Sequence, residues 1–109
     1  MIISKEYTES LKDFMKCVID EINDLMIEDR DALLSDKDYG ETITNELTFA
    51  VKTYYAIVED EDYELADDDK EMLSLIIGFH IFEIIRHDDG VDNANWLYNI
   101  MAVWKIIQK

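Results

Sequence analysis

Proline is absent from the 109 residues, glycine occurs three times and cysteine once. With glycine only at 40, 78 and 90, the chain lacks the punctuation of a fold built from tight turns. The isolated glycines also exclude a glycine-rich phosphate loop. Cys17 has no intramolecular partner cysteine, which fits a reducing compartment; its place inside a helical pattern makes it a buried, inert thiol. A nucleophilic enzyme needs an activated Ser, Cys or Thr beside a base. Only two histidines exist and no GxSxG element surrounds any serine, so the chain reads as a non-enzyme without a cofactor. The longest apolar run, "LSLIIGFHIFEII", is interrupted by His80 and Glu83 and is too short to span a bilayer. The opening "MIISKEYTES" carries no secretory signal. The expectation is a cytoplasmic protein with no membrane partner.

Positive charge is the other scarcity. Ten Lys and Arg stand against 26 Asp and Glu, a formal net charge of −16. Such a chain is repelled by nucleic acid and by anionic membranes and attracted to basic surfaces. Direct nucleic-acid binding is therefore not expected. At 49% hydrophobic and 11% aromatic, the chain is nonetheless too apolar to be disordered, and its length suits one domain, residues 1–109.

What is present is helical periodicity. Leu11, Phe14, Met15, Val18, Ile19, Ile22, Leu25 and Met26 recur in steps of three and four, predicting a helix over about 5–27. Leu33 and Leu34 extend the pattern towards a stop at Gly40. A second helix is expected over about 42–58 and a third over about 70–87, the latter apolar on nearly every side. Asp67, Asp68 and Asp69 suit the cap and first turn of that third helix. "RHDDGVDNAN" closes it at Gly90 and opens a last helix, capped by Asp92 or Asn93, with Trp96, Leu97, Ile100, Met101, Trp104 and Ile107 at helical spacing. "YEL" at 63–65 is at most a short extended piece. The expected fold is all-α: a compact bundle of about four helices around the apolar third helix. So apolar a helix needs more cover than three neighbours supply, which points to a homodimer.

The acids are ordered. From Glu59 to Glu71 there are nine carboxylates, among them Asp60, Glu61, Asp62, Glu64, Asp67, Asp68 and Asp69, against the single base Lys70. On the first helix Glu6, Glu9, Asp13, Asp20, Asp24, Glu28 and Asp31 form a stripe opposite the apolar one, with Lys16 as its intervening base. Asp60, Asp62, Glu64 and Glu71 match the ligand spacing of a twelve-residue calcium loop, but Leu65 stands where that loop needs glycine and Asp67 where it takes an apolar residue. His80, Glu83 and His87 share a helical face, yet no second helix offers a matching Glu-x-x-His. No metal site is assigned, and His80 is read as a hydrogen-bonded interior or interface residue.

An ordinary solvated face mixes Lys with Glu for i,i+4 attraction; a face of one sign repels itself, and chains accept this mainly when the field is useful. A helix edged with carboxylates approaches the spacing of a phosphate backbone. Three readings stay open. One is a DNA mimic occupying a basic DNA-binding protein or defence complex. Another is an acidic immunity protein or antitoxin neutralising one basic toxin. The last is a helical adaptor. In the first two the carboxylates of 59–71 and of the stripe would form the contact surface, with Tyr63, Tyr54 and Tyr55 as aromatic anchors, although Tyr54 shares the apolar face of the second helix and reads better as core.

Residues 41–100 carry a helix ending in "TYYAIV", the acidic link "EDEDYELADDD", the apolar helix "KEMLSLIIGFHIFEII" and a last helix with "NWLYNI". This order of segments resembles the Ocr type of phage anti-restriction protein. The resemblance implies a small, acidic, mostly helical dimer that imitates bent duplex DNA to block type I restriction enzymes in the host cytoplasm. The present chain ends in "WKIIQK" in place of that family's acidic tail.

Overall fold

The computed structural model describes residues 1–59, 63–87 and 94–108. They form five helices: α1 (Lys5–Glu28), α2 (Arg30–Ser35), α3 (Lys37–Glu59), α4 (Asp67–His87) and α5 (Ala94–Ile107). The fold is all-α, with one helix more than the periodicity predicts. Asp29 breaks the first pattern: its φ of −110° and ψ of 29° leave the helical basin, while its N–H still donates to the Leu25 carbonyl. Asp36 then separates α2 from α3, and its Oδ1 accepts the Tyr39 N–H at 3.2 Å. That side chain satisfies one of the orphan donors at a helix start.

Gly40 is therefore not a stop. It lies in the first turn of α3, where a Cβ would stand 2.8 Å from the backbone carbonyl oxygen of Leu33. The missing side chain lets α2 fold back against α3. Gly90 and the cap residues Asp92 and Asn93 lie outside the described residues.

The helix at the centre is α1 rather than the apolar α4. α1 packs along α3 and α5 and touches α2 and α4. Its buried face comprises Leu11, Phe14, Met15, Val18 and Ile22, all at 0% exposure. α3 contributes Ile43, Phe49, Ala50 and Ile57; α4 contributes Leu73, Ile76, Ile77 and Ile81; α5 contributes Ile100, Val103 and Ile107. The Phe14 and Trp96 rings stand 5.9 Å apart. Polar ties fix α5: Asn99 donates to Ser10 Oγ at 3.0 Å and Trp104 Nε1 to Ser74 Oγ at 3.0 Å. Cys17 is only half-buried.

Residues 63–65, ahead of α4, run extended against the N-terminal segment. The Ile3 N–H donates to the Tyr63 carbonyl at 3.0 Å and the Leu65 N–H to the Met1 carbonyl at 2.7 Å, about an antiparallel bridge of Ile2 with Glu64. Alternation then follows from extended geometry: Ile3, Tyr63 and Leu65 are buried while Ile2 and Glu64 are exposed.

Candidate interaction surface

Glu6, Glu9, Asp13, Asp20, Asp24 and Glu28 are all exposed and lie on the side of α1 opposite its buried face. At 1.5 Å per residue they extend over about 33 Å, roughly one carboxylate per 5–6 Å. Asp31 is also exposed, but the break at Asp29 puts it on α2, so the stripe ends at Glu28. The stripe also meets more positive charge than Lys16 alone. Lys12 donates to Glu9 at 3.2 Å, and Lys16 lies 3.6 Å from Asp20. Exposed pairs of this kind contribute about 0.2–1 kcal/mol at most, so they trim the field without organising the fold.

The carboxylates of 59–71 divide into groups. Glu59 at the end of α3, Glu64 in the extended segment and Glu71 on α4 are exposed. Asp60, Glu61 and Asp62 lie outside the described residues. Asp67, Asp68 and Asp69 form the first turn of α4, beside the positive end of the helix dipole. Asp67 receives Lys70 at 2.8 Å, and the hydrogen bond and charge of that ammonium hold its carboxyl below the usual range. Asp69 meets Lys52 of α3 at 3.4 Å, tying the two helices together.

Tyr63 does not belong to this surface. It is 8% exposed, its phenol is hydrogen-bonded to Thr53, and burial pushes its pKa up. An aromatic anchor here would have to leave the core. Tyr55 is exposed and stands edge-on to the half-buried Tyr54 at 5.5 Å. At the calcium-like spacing, Leu65 occupies the position of the required glycine and is fully buried. That segment serves the core.

A polar cluster that periodicity does not single out lies inside the bundle. His80 of α4 places Nδ1 3.0 Å from Glu21 Oε1 of α1 and Nε2 3.4 Å from Glu46 Oε2 of α3. His80 and Glu46 are buried and Glu21 is half-buried. Burial alone would lower the imidazole pKa, but hydrogen bonds and charge from both carboxylates outweigh it and hold the pKa above 6.5. In its protonated form the ring donates from both nitrogens, one to each carboxylate, and then presents no lone pair to a metal. The usable sequence signal was Glu46 itself, three residues after Ile43 and four before Ala50 on the apolar stripe of α3. Glu83 instead pairs with Arg86 at 3.1 Å, and the His87 side chain lies outside what is described.

Two other features bear on function. On α4, Leu75, Phe79 and Phe82 are 47%, 67% and 76% exposed. A cleft of about 600 Å³ between the end of α1, α2 and α3 is lined by Met26, Leu33, Leu34 and Ile43, with Arg30 and Lys37 also in its wall, and holds no histidine or cysteine. Among the described residues no group of three or more His, Cys, Asp or Glu is placed to hold a metal ion. No helix of the described residues is long and apolar enough to cross a membrane. No family model, no curated protein and no solved structure matches the chain.

Proposed function

We propose that the protein is an acidic inhibitor that mimics DNA and occupies the basic nucleic-acid-binding cleft of a defence enzyme, acting through its surface and not through chemistry of its own. The observation that carries this reading is the exposed edge of α1, six carboxylates in about 33 Å on a rigid helix. A DNA strand presents one phosphate per 3.4 Å; the edge offers somewhat more than half that density of carboxylates, and about two-fifths of the charge once Lys12 and Lys16 are subtracted. Glu59, Glu64 and Asp68 add exposed charge elsewhere on the molecule. Lys and Arg in a target cleft would make charge-assisted contacts with these groups. The resemblance to Ocr-type anti-restriction proteins supports the same reading, with a homodimer in the cytoplasm of a host cell as the acting form.

The test is capture of a partner from bacterial lysate on the tagged protein, repeated with excess duplex DNA. Recovery of a nucleic-acid enzyme that DNA displaces is expected. The triple change Asp13→Asn, Asp20→Asn and Asp24→Asn should abolish recovery while the far-UV circular dichroism is unchanged. A single basic partner indifferent to DNA would replace mimicry with the immunity-protein reading, and capture unaffected by the triple change would remove the α1 edge as the contact surface.

A further inference from the structure

The exposed side of α4 is self-complementary. Outward from the Gly78–Phe79 bond, Leu75 and Phe82 are equidistant, and so are Glu71 and Arg86. The steps 71, 75, 78/79, 82 and 86 keep all six on one stripe of the helix. Two copies of α4 laid antiparallel across a two-fold axis at that bond would set Leu75 against Phe82, Glu71 against Arg86 and Phe79 against Gly78, each contact made twice. That is the form of an isologous interface. We infer that the partner for this face is a second copy of the chain, bound through an antiparallel α4–α4 seam. The seam gives the homodimer of the proposed inhibitor a contact surface, and it rests on that part of the reading alone.

Gly78 is the most telling member. A glycine in a helix interior is unfavourable relative to alanine, and a Cβ built at Gly78 meets nothing within 4 Å. Among the described residues no neighbour needs the missing side chain, unlike at Gly40. Across the seam the gap has a use, because it receives the partner's Phe79 ring and lets the helices approach closely.

The charges agree with the antiparallel direction. Exposed Glu71 lies towards the N-terminal end of the stripe, and exposed Arg86 at the same distance towards the other end. A parallel pair would oppose like charges. Arg86 already holds Glu83 at 3.1 Å, and a guanidinium with five donors can reach a second carboxylate as well. The area is adequate for a modest dimer. At about 150–250 Å² per aromatic side chain, Phe79 and Phe82 still expose roughly 200–350 Å² per copy. Leu75, Glu71 and Arg86 bring the face towards the roughly 600 Å² per partner at the lower end of specific interfaces. The carboxylate stripe is no obstacle, since α4 packs towards α1 through its opposite, buried side.

Sedimentation equilibrium of the full chain tests the seam. The wild type is expected to dimerise. Gly78→Leu is expected to be monomeric and, compared with dilute wild type, to melt at a higher temperature, because the substitution helps the helix while blocking the seam. Glu71→Arg and Arg86→Glu should each weaken the dimer about tenfold or more, roughly 1.4 kcal/mol, and the double swap should restore it. A wild type that stays monomeric at its highest soluble concentration would overturn the seam, as would a Gly78→Leu dimer of undiminished affinity. A double swap no tighter than its parents would overturn the antiparallel register. The DNA-competition assay separates this from the mimic reading: a monomer that competes with DNA refutes only the seam, and a dimer that does not compete refutes only the mimicry.

Discussion

His80 shows how one side chain couples three helices. With Glu21 on one nitrogen and Glu46 on the other, it meets two carboxylates at once, and removing it would strand Glu46 in the core. His80→Leu is expected to lose about 3–5 kcal/mol in urea unfolding, while His80→Leu with Glu46→Leu should regain most of that, since a buried ion pair is often replaceable by apolar packing. The pair also sets a pH dependence. Because the folded imidazole pKa lies above 6.5, the contribution of His80 is complete below that value and is lost as pH rises through the folded pKa. The melting temperature should therefore fall as pH is raised above neutrality, and His80→Gln should flatten this decline. Gly40 supplies the steric counterpart. Alanine would gain about 1 kcal/mol of helix propensity, but its Cβ would press on a backbone carbonyl. A net loss of about 1–2 kcal/mol is expected for Gly40→Ala, and a gain would refute the close approach of α2.

At the scale of elements, apolar periodicity located all four long helices, because a stripe that must be buried is written at fixed spacing whatever it packs on. The breaks were less visible. Asp29 and Asp36 are aspartates among many, and only Asp36 has a side chain seen to accept the following helix's N–H. Asp36→Ala is expected to cost about 1 kcal/mol, read as a lower urea midpoint with an unchanged slope. Gly40 looked like a terminator because glycine ends helices; here its use is the contact with Leu33, a relation between two elements that no local pattern contains. The same limit hid Glu21 and Glu46 as partners of His80. It also left Tyr63 on the surface, although its alternation with Glu64 and Leu65 puts it in the core once that extended segment pairs with Ile3.

For the molecule as a whole the governing quantity is net charge. At −16 the folded chain concentrates repulsion that the unfolded chain would spread out. Salt shortens the screening length from about 10 Å at 0.1 M to about 3 Å at 1 M, so the melting temperature should rise with sodium chloride. Each 1 kcal/mol of relief corresponds to about 4–8 °C for a domain of this size. A fall would mean that pairs such as Lys70 with Asp67 and Lys52 with Asp69 outweigh the repulsion. Buried groups such as His80 should respond little to salt, which separates this effect from the pH dependence above.

The sequence by itself determined the helical class, the four long helices and the carboxylate edge of α1, since each depends on spacing along one element and on the sign of its charges. Tertiary structure decided which helix is central, which glycine is a close contact, which tyrosine is core and which acids face an imidazole. It also decided which side of α4 stays open: Leu75, Phe79 and Phe82 are as apolar as Leu73, Ile76 and Ile77, and only the packing of α1, α3 and α5 leaves the first three in water. Burial is a property of pairs of elements, and a helix apolar on every side carries no mark of the side its neighbours will choose.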